Sequence, residues 1–235
     1  MYLRQFGSAL KEKMDGSLFT VKDAAQIDVR AKEYLYRLGK LGEVRRAYWG
    51  WYYIPEEHKD VWEFLAKDRG FKVLIKQTAA SIWNYDFVHR NVYRLAVEDA
   101  SYKKALEGFG EEKEWIFEVE YCDKIPYEYR EVDGLMVEAP EPCVVDCAAD
   151  WAFLDAFAVL YFRKDDTSFE KIRKLARWRR VSGTDIRVWN AIKYGCNLFN
   201  EQTGRKVFNV KATRLEQDDV KELVEEAVEK VMEFA

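Results

Sequence analysis

The chain is poor in the residues that most often announce a chemistry. Its four cysteines, Cys122, Cys143, Cys147 and Cys196, are too few and too scattered for a disulfide scaffold. Cys143 and Cys147 have no second pair nearby, and the two histidines, His58 and His89, are far from them, so the four-ligand spacing of a structural zinc site is missing. None of the twelve glycines falls in a G-x-G-x-x-G or phosphate-loop pattern, the usual signs of dinucleotide or nucleoside triphosphate binding. No apolar run is long enough to span a bilayer, and the chain does not open with the charged-then-apolar pattern of a signal peptide. The expectation is buried reduced thiols, no metal, no cofactor, no membrane partner and a cytoplasmic address.

What is present is a packed-core composition. Hydrophobic residues make up 49% of the chain and aromatics 15%, while 34% charged residues keep the surface solvated. A length of 235 residues suggests one or two domains. The charge is unevenly spread. Residues 1–55 hold ten Lys or Arg against six Asp or Glu, although the whole chain has a net charge of −4. A basic N-terminal part is joined to a more acidic body.

Residues 18–55 carry the strongest pattern. Thr20 can cap a short helix, with Asp23 three residues on in a capping-box position. Ile27 follows as a buried plug at a turn, and Asp28 is a second cap. In the next helix Ala31, Leu35, Leu38 and Gly42 recur at helical spacing, flanked by Tyr34 and Leu41, and Gly42 suits a C-terminal stop. Arg30, Lys32, Glu33, Arg37 and Lys40 fall largely off that face. Val44–Tyr48, the turn Trp49-Gly50 and Trp51–Ile54 then read as a hairpin. Upstream, Leu3, Phe6, Leu10 and Met14 share one face of a first helix. This order predicts a winged helix-turn-helix over residues 1–57, followed by a mixed α/β domain over 58–235, an α+β chain overall.

Such a device places its second helix in the major groove and holds phosphates with basic side chains. The candidate DNA-binding residues are Lys22, Arg30, Lys32, Arg37, Lys40, Arg45, Arg46, Tyr48 and Trp49. Arg30 and Arg37 are expected at base edges, Arg45 and Arg46 at phosphates. Arg45 and Arg46 leave opposite faces of a strand, so one of the two points at DNA.

In the body, residues 56–69 read as a helix with Val61, Phe64 and Leu65 inward. Alternation over 115–121 marks a half-buried strand, and 100–110 a helix ended by Gly108 or Gly110. Residues 135–162 begin as a strand and become a long apolar helical region, 185–195 is helical up to Gly195, 205–215 is a last strand, and 216–235 is an amphipathic acidic helix. The eight tryptophans are read as core except Trp49 at the hairpin tip. The run KIRKLARWRR, read as a basic helix, offers Lys171, Arg173, Lys174, Arg177, Arg179 and Arg180 around Trp178, a pattern that can hold phosphates or an acidic partner.

The stretches FTVKDAA and YLYRLGKLGEVRRAYWGWYYIP, with DGLMVEAPEPCVVDCA in the body, resemble the AbiEi-type antitoxins and their transcriptional-regulator relatives from type IV toxin–antitoxin and abortive-infection systems. In the body the shared pattern is a short strand at Val137, a proline at Pro140 or Pro142, and Val144-Val145-Asp146. The resemblance covers roughly residues 5–195; the sequence departs from the pattern around 98–130 and in its C-terminal helix. It implies a regulator that binds promoter inverted repeats in double-stranded DNA, represses its own operon and neutralises a cognate nucleotidyltransferase-like toxin, with no catalytic residues of its own. In that family a basic face of the body is associated with the antitoxic function.

Two other readings belong to different classes. Glu118, Glu120, Asp146, Asp150 and Asp155 could serve a metal-dependent nuclease, although no lysine stands at clear nuclease spacing. A winged helix can also dock protein, which would make the chain an adaptor. His89 beside Arg90 reads as a surface or packing histidine rather than a general base.

Overall fold

The structure is a computed structural model that describes residues 1–14, 16–55, 60–67, 73–88, 91–125 and 128–234. His58, His89, Arg90 and the ends of the helix expected at 56–69 lie outside the described residues. In chain order the elements are α1 (Leu3–Met14), β1 (Phe19–Thr20), α2 (Val21–Ala25), α3 (Ala31–Lys40), β2 (Arg45–Tyr48), β3 (Trp51–Tyr53), α4 (Val61–Lys67), β4 (Val73–Ile75), α5 (Ala79–Trp83), β5 (Val92–Val97), α6 (Ala100–Lys113), β6 (Ile116–Tyr121), β7 (Tyr129–Val132), β8 (Leu135–Glu138), α7 (Pro140–Ala149), α8 (Phe153–Phe162), α9 (Phe169–Ala176), α10 (Val188–Thr203) and α11 (Asp218–Met232). The fold is α+β.

The division into two units does not follow the expected boundary at residues 57 and 58. The first unit takes in residues 1–75, 91–126 and 131–137, and the second 76–90, 127–130 and 138–235. The first is larger than the basic N-terminal segment because the hairpin β2-β3 is packed on α6. Tyr53 and Arg45 both reach Glu112. Trp51 Nε1 donates to Ser101 Oγ at 3.1 Å, and its ring meets Tyr102 at 5.2 Å. Gly108, expected to end α6, lies inside it: a Cβ there would overlap the Ala47 carbonyl oxygen of β2. Gly110 is likewise interior, its missing side chain leaving room for Phe117 and the Trp115 carbonyl. The helix stops instead at Glu114, which takes a left-handed conformation (φ 59°).

Within the N-terminal segment the Thr20 cap and most of the core follow the sequence pattern, whereas α3 is capped at Arg30 without a side-chain cap bond rather than at Asp28, and Ile27 is only half-buried. Thr20 N donates to Asp23 Oδ2 at 2.8 Å and Asp23 N to Thr20 Oγ1 at 3.3 Å, a reciprocal box of the kind worth about 1 kcal/mol. Phe6, Leu10 and Met14 of α1 close on Ala31, Tyr34, Leu35 and Leu38 of α3, with Phe19, Ala24, Val44 and Ile54 completing one core. Burying each large side chain contributes roughly 1.5–3 kcal/mol. The α3 helix ends at Lys40, with Gly42 just beyond it at φ 75°, a conformation that costs glycine little. The strands β1-β3-β2 form an antiparallel sheet in that order. Most of a five-stranded mixed sheet, ordered β6-β5-β4-β8-β7, also belongs to this unit. In it β5 and β6 run parallel, joined by α6, and β4 runs antiparallel to β5.

The second unit is helical. Its expected long apolar helix is two helices: the chain breaks at Trp151, in a left-handed conformation (φ 64°), between α7 and α8. Every residue of α7 is buried, and Phe153, Phe157, Leu160, Phe199 and Ile192 fill the surrounding core. The α10 helix runs through Gly195 to Thr203, because Gly195 makes room for the Phe157 ring. The strand expected over 205–215 does not form. The backbone of Phe208 is bonded on both sides by the Asn200 amide, at 2.8 Å each, and needs no neighbouring strand. Val220, Val224, Ala227, Val228 and Val231 make the buried face of α11.

Candidate nucleic-acid interface

In the first unit, α3 and the hairpin β2-β3 flank an open groove of about 940 Å³. Of the nine candidates, Arg30, Lys32, Lys40, Arg45 and Arg46 line it. The apolar face of α3 is turned to the core, so its charged positions are exposed by default. Lys32, Tyr36 and Lys40 recur at i, i+4 and i+8 and form one stripe along the groove. Tyr36, 65% exposed, has the Lys40 ammonium 4.6 Å from its ring centre. Opposite, Arg46 lies over Tyr52 (5.7 Å) and over Trp49 at the hairpin tip (5.5 Å), which is 80% exposed. Tyr48 is exposed beside it on β2.

Three of the candidate arginines are engaged. Arg30 occupies the N-cap position of α3, where its side chain bonds Asp28 at 3.4 Å and the Met1 carbonyl at 2.7 Å. That pairing raises the guanidinium pKa, and the Arg30 backbone N–H lowers that of Asp28. Arg37 is paired with Glu33 at 2.5 Å and does not line the groove, contrary to its expected place at base edges. Arg45 and Arg46 both line the groove, but Arg45 is held there by Glu112 whereas Arg46 lies on aromatic rings. Lys22 is exposed on α2, outside the groove. Among the described residues, Lys22, Lys32, Lys40 and Arg46 have no carboxylate partner within ion-pair distance. Tyr36 and Tyr52 were missed by charge alone; the signal for Tyr36 was an aromatic off the apolar face of its helix.

In the second unit the run 171–180 is not one basic helix. The α9 helix ends at Ala176, because Arg177 to Arg180 turn away into a bridge that pairs Arg180 with Arg187. Lys171 pairs with Glu128 and with Glu141 (3.4 Å), the Glu128 contact being the main cause of its raised pKa. Lys174 pairs with Glu170 at 2.9 Å, Arg180 with Asp185, and Arg179 with the largely buried Asp146. Arg173 and Arg177 have no such partner among the described residues. They line a second pocket, of about 410 Å³, with Glu170, Lys174, Arg187, Trp189 and Asn190. Arg187 was missed because it follows the run, although Ser182-Gly183-Thr184-Asp185 signals the turn that returns it.

The carboxylates considered for metal chemistry are divided between the two units. Glu118 and Glu120 are in the first unit, Glu118 bonded to Arg94 at 2.8 Å, while Asp146, Asp150 and Asp155 are in the second. Among the described residues no group of three or more His, Cys, Asp or Glu is placed to hold a metal ion. Asp146 lies instead beside Glu138, which is fully buried. Burial, and then the Asp146 charge, pushes the Glu138 carboxyl well above its ordinary range. Cys143 and Cys147, one turn apart on α7, face the Gln77 carbonyl at 3.8 and 3.7 Å, and burial raises both thiols.

Neither family models nor curated proteins match the chain. Among solved structures it is similar to the RV2827C protein from Mycobacterium tuberculosis, with a TM-score of 0.55 over 90% of this chain and 82% of that one. At 16% identity the likeness shows a shared fold and nothing of function.

Proposed function

We propose that this chain is a cytoplasmic DNA-binding transcriptional regulator whose first 55 residues act as a winged helix-turn-helix. One observation carries the reading: the groove between α3 and the hairpin, lined on one side by Lys32, Tyr36 and Lys40 and on the other by Arg46 and Tyr52. A helix presenting such a stripe can lay it along base edges in the major groove while Arg46 and Lys22 take phosphates. The structural pairs at Arg30, Arg37 and Arg45 reduce the set of side chains that read DNA to these few. No helix among the described residues is long and apolar enough to cross a membrane, which suits this role.

The AbiEi resemblance extends the proposal. The protein represses its own operon at inverted repeats, and its second unit neutralises a nucleotidyltransferase-like toxin. The Pro140–Asp146 stretch that supports the resemblance forms the buried helix α7. Its part in that role is to set the framework, through the Asp146–Arg179 pair, rather than to meet a partner directly.

Footprinting on the DNA upstream of the protein's own gene tests this reading. Protection of a paired repeat, lost on replacing Lys32 and Tyr36 by Ala, is the expected result. Unchanged protection in that variant would place the interface elsewhere. Plasmid cleavage in Mg²⁺ or Mn²⁺, lost on Asp146→Ala, would overturn the assignment as a non-enzyme.

A further inference from the structure

The second unit holds a basic pocket that the DNA-reading groove does not use. The bridge between Arg180 and Arg187, closed by Val181 N to Ile186 O (2.9 Å) and Val188 N to Arg179 O (3.1 Å), returns the chain so that Arg187 comes back beside Trp178. The loop is anchored: Ser182 N donates to the Ala149 carbonyl at 2.7 Å and Trp151 Nε1 to the Ser182 carbonyl at 2.8 Å. The Arg177 and Arg187 guanidiniums lie 4.7 and 5.9 Å from the Trp178 ring centre, and that ring is still 74% exposed. The indole fixes two flat cations that have no carboxylate partner among the described residues.

Trp178 stands beside the pocket rather than in its lining, and the lining itself suits a phosphate that carries a base. Arg173 adds a third unpaired cation. Glu170, the one acid in the lining, is neutralised by Lys174. Trp189 and Asn190 bring an aromatic surface and an amide able both to donate and to accept. The first turn of α10, where both reside, contains no acidic residue. A volume of about 410 Å³ falls within the range of small-ligand sites. Simple charge would also attract an acidic peptide, but a carboxylate gains nothing from an open indole, whereas unpaired bases stack on one.

We propose that this pocket and the Trp178 ring beside it bind an unpaired nucleotide of a single nucleic-acid strand, its phosphate held by Arg173, Arg177 and Arg187 and its base stacked on Trp178. The site is independent of the duplex-reading groove of the first unit.

The test is titration of the full chain with an oligo(dT) and an oligo(rU), followed by anisotropy and tryptophan fluorescence, with duplex promoter DNA bound in parallel. The expected result is saturable oligonucleotide binding with fluorescence quenching, weakened at least about tenfold in Arg177→Ala/Arg187→Ala. Trp178→Phe should remove most of the quenching, and duplex binding should stay within about twofold. Arg177→Lys/Arg187→Lys keeps the charge and guards against misfolding; it should retain part of the affinity. Oligonucleotide binding unaffected by the Ala pair would overturn the proposal, as would no binding at all or competition by polyglutamate as effective as by oligonucleotide. Loss of duplex binding in the wild-type chain would refute the proposed regulator instead and leave this site standing.

Discussion

The basic segments 30–46 and 171–187 treat their cations alike and their surroundings differently. In each, some of the Arg and Lys residues are drawn into pairs with carboxylates of the same unit, and part of the unpaired remainder (Lys40 and Arg46, Arg177 and Arg187) rests on aromatic rings. In the first segment the remainder is strung along an open groove of about 940 Å³, with Lys40 on Tyr36 and Arg46 on Trp49 and Tyr52. In the second it is gathered at a pocket of about 410 Å³, with Arg177 and Arg187 resting on the Trp178 ring beside it. A line of cations matches a repeating backbone, and a cluster matches one phosphate. Arrangement rather than number of charges separates the two, since a surface ion pair contributes little to stability but removes a cation from binding.

The comparison breaks most visibly at the stripe on α3. Replacing Lys32 and Tyr36 together by Ala should cost about 1–3 kcal/mol per lost base contact, measured by anisotropy on promoter DNA, with oligo(dT) binding unchanged. Gly108→Ala should destabilise the first unit by about 1–3 kcal/mol in chemical denaturation and also weaken duplex binding, because the Cβ pushes the hairpin off α6. Arg179→Ala leaves Asp146 without its cation and should cost roughly 1–3 kcal/mol in the second unit without touching duplex binding.

The pH dependence of the second unit sharpens the contrast. Glu138 has a folded pKa raised by burial, so its contribution to stability is complete below the ordinary carboxylate pKa and is lost as pH rises toward the folded value. Glu138→Gln should flatten that fall in urea midpoints measured from pH 4.5 upward. The smallest effect separates the adjacent arginines. Arg46→Ala should reduce the slope of log affinity against log salt by about 1, while Arg45→Ala, removing a pair with Glu112, should leave it unchanged.

The N-terminal segment was legible because its signals are local: the Thr20–Asp23 box, the i, i+4 apolar face of α3 and the Gly42 stop each act within one or two turns. The glycines misled for the opposite reason. Gly108, Gly110 and Gly195 look like helix stops in one dimension, but they are sites where another segment comes close. The expected base readers Arg30 and Arg37 were taken up by Asp28 and Glu33, two and four residues away, a competition that composition does not reveal. Arg45 was taken up by Glu112, which lies far away in sequence. Arg187 joined the second basic site through a seven-residue excursion, beyond the reach of a search for charge runs.

The seating of the hairpin on α6, with Gly108 against Ala47, bears on the thermodynamics of recognition. A free hairpin would be ordered only on DNA, and the coupled folding would add a large negative heat-capacity change and a slow kinetic phase. Here the order is built in beforehand. Calorimetry of duplex binding should therefore show a heat-capacity change set by the interface alone, and stopped-flow association a single phase.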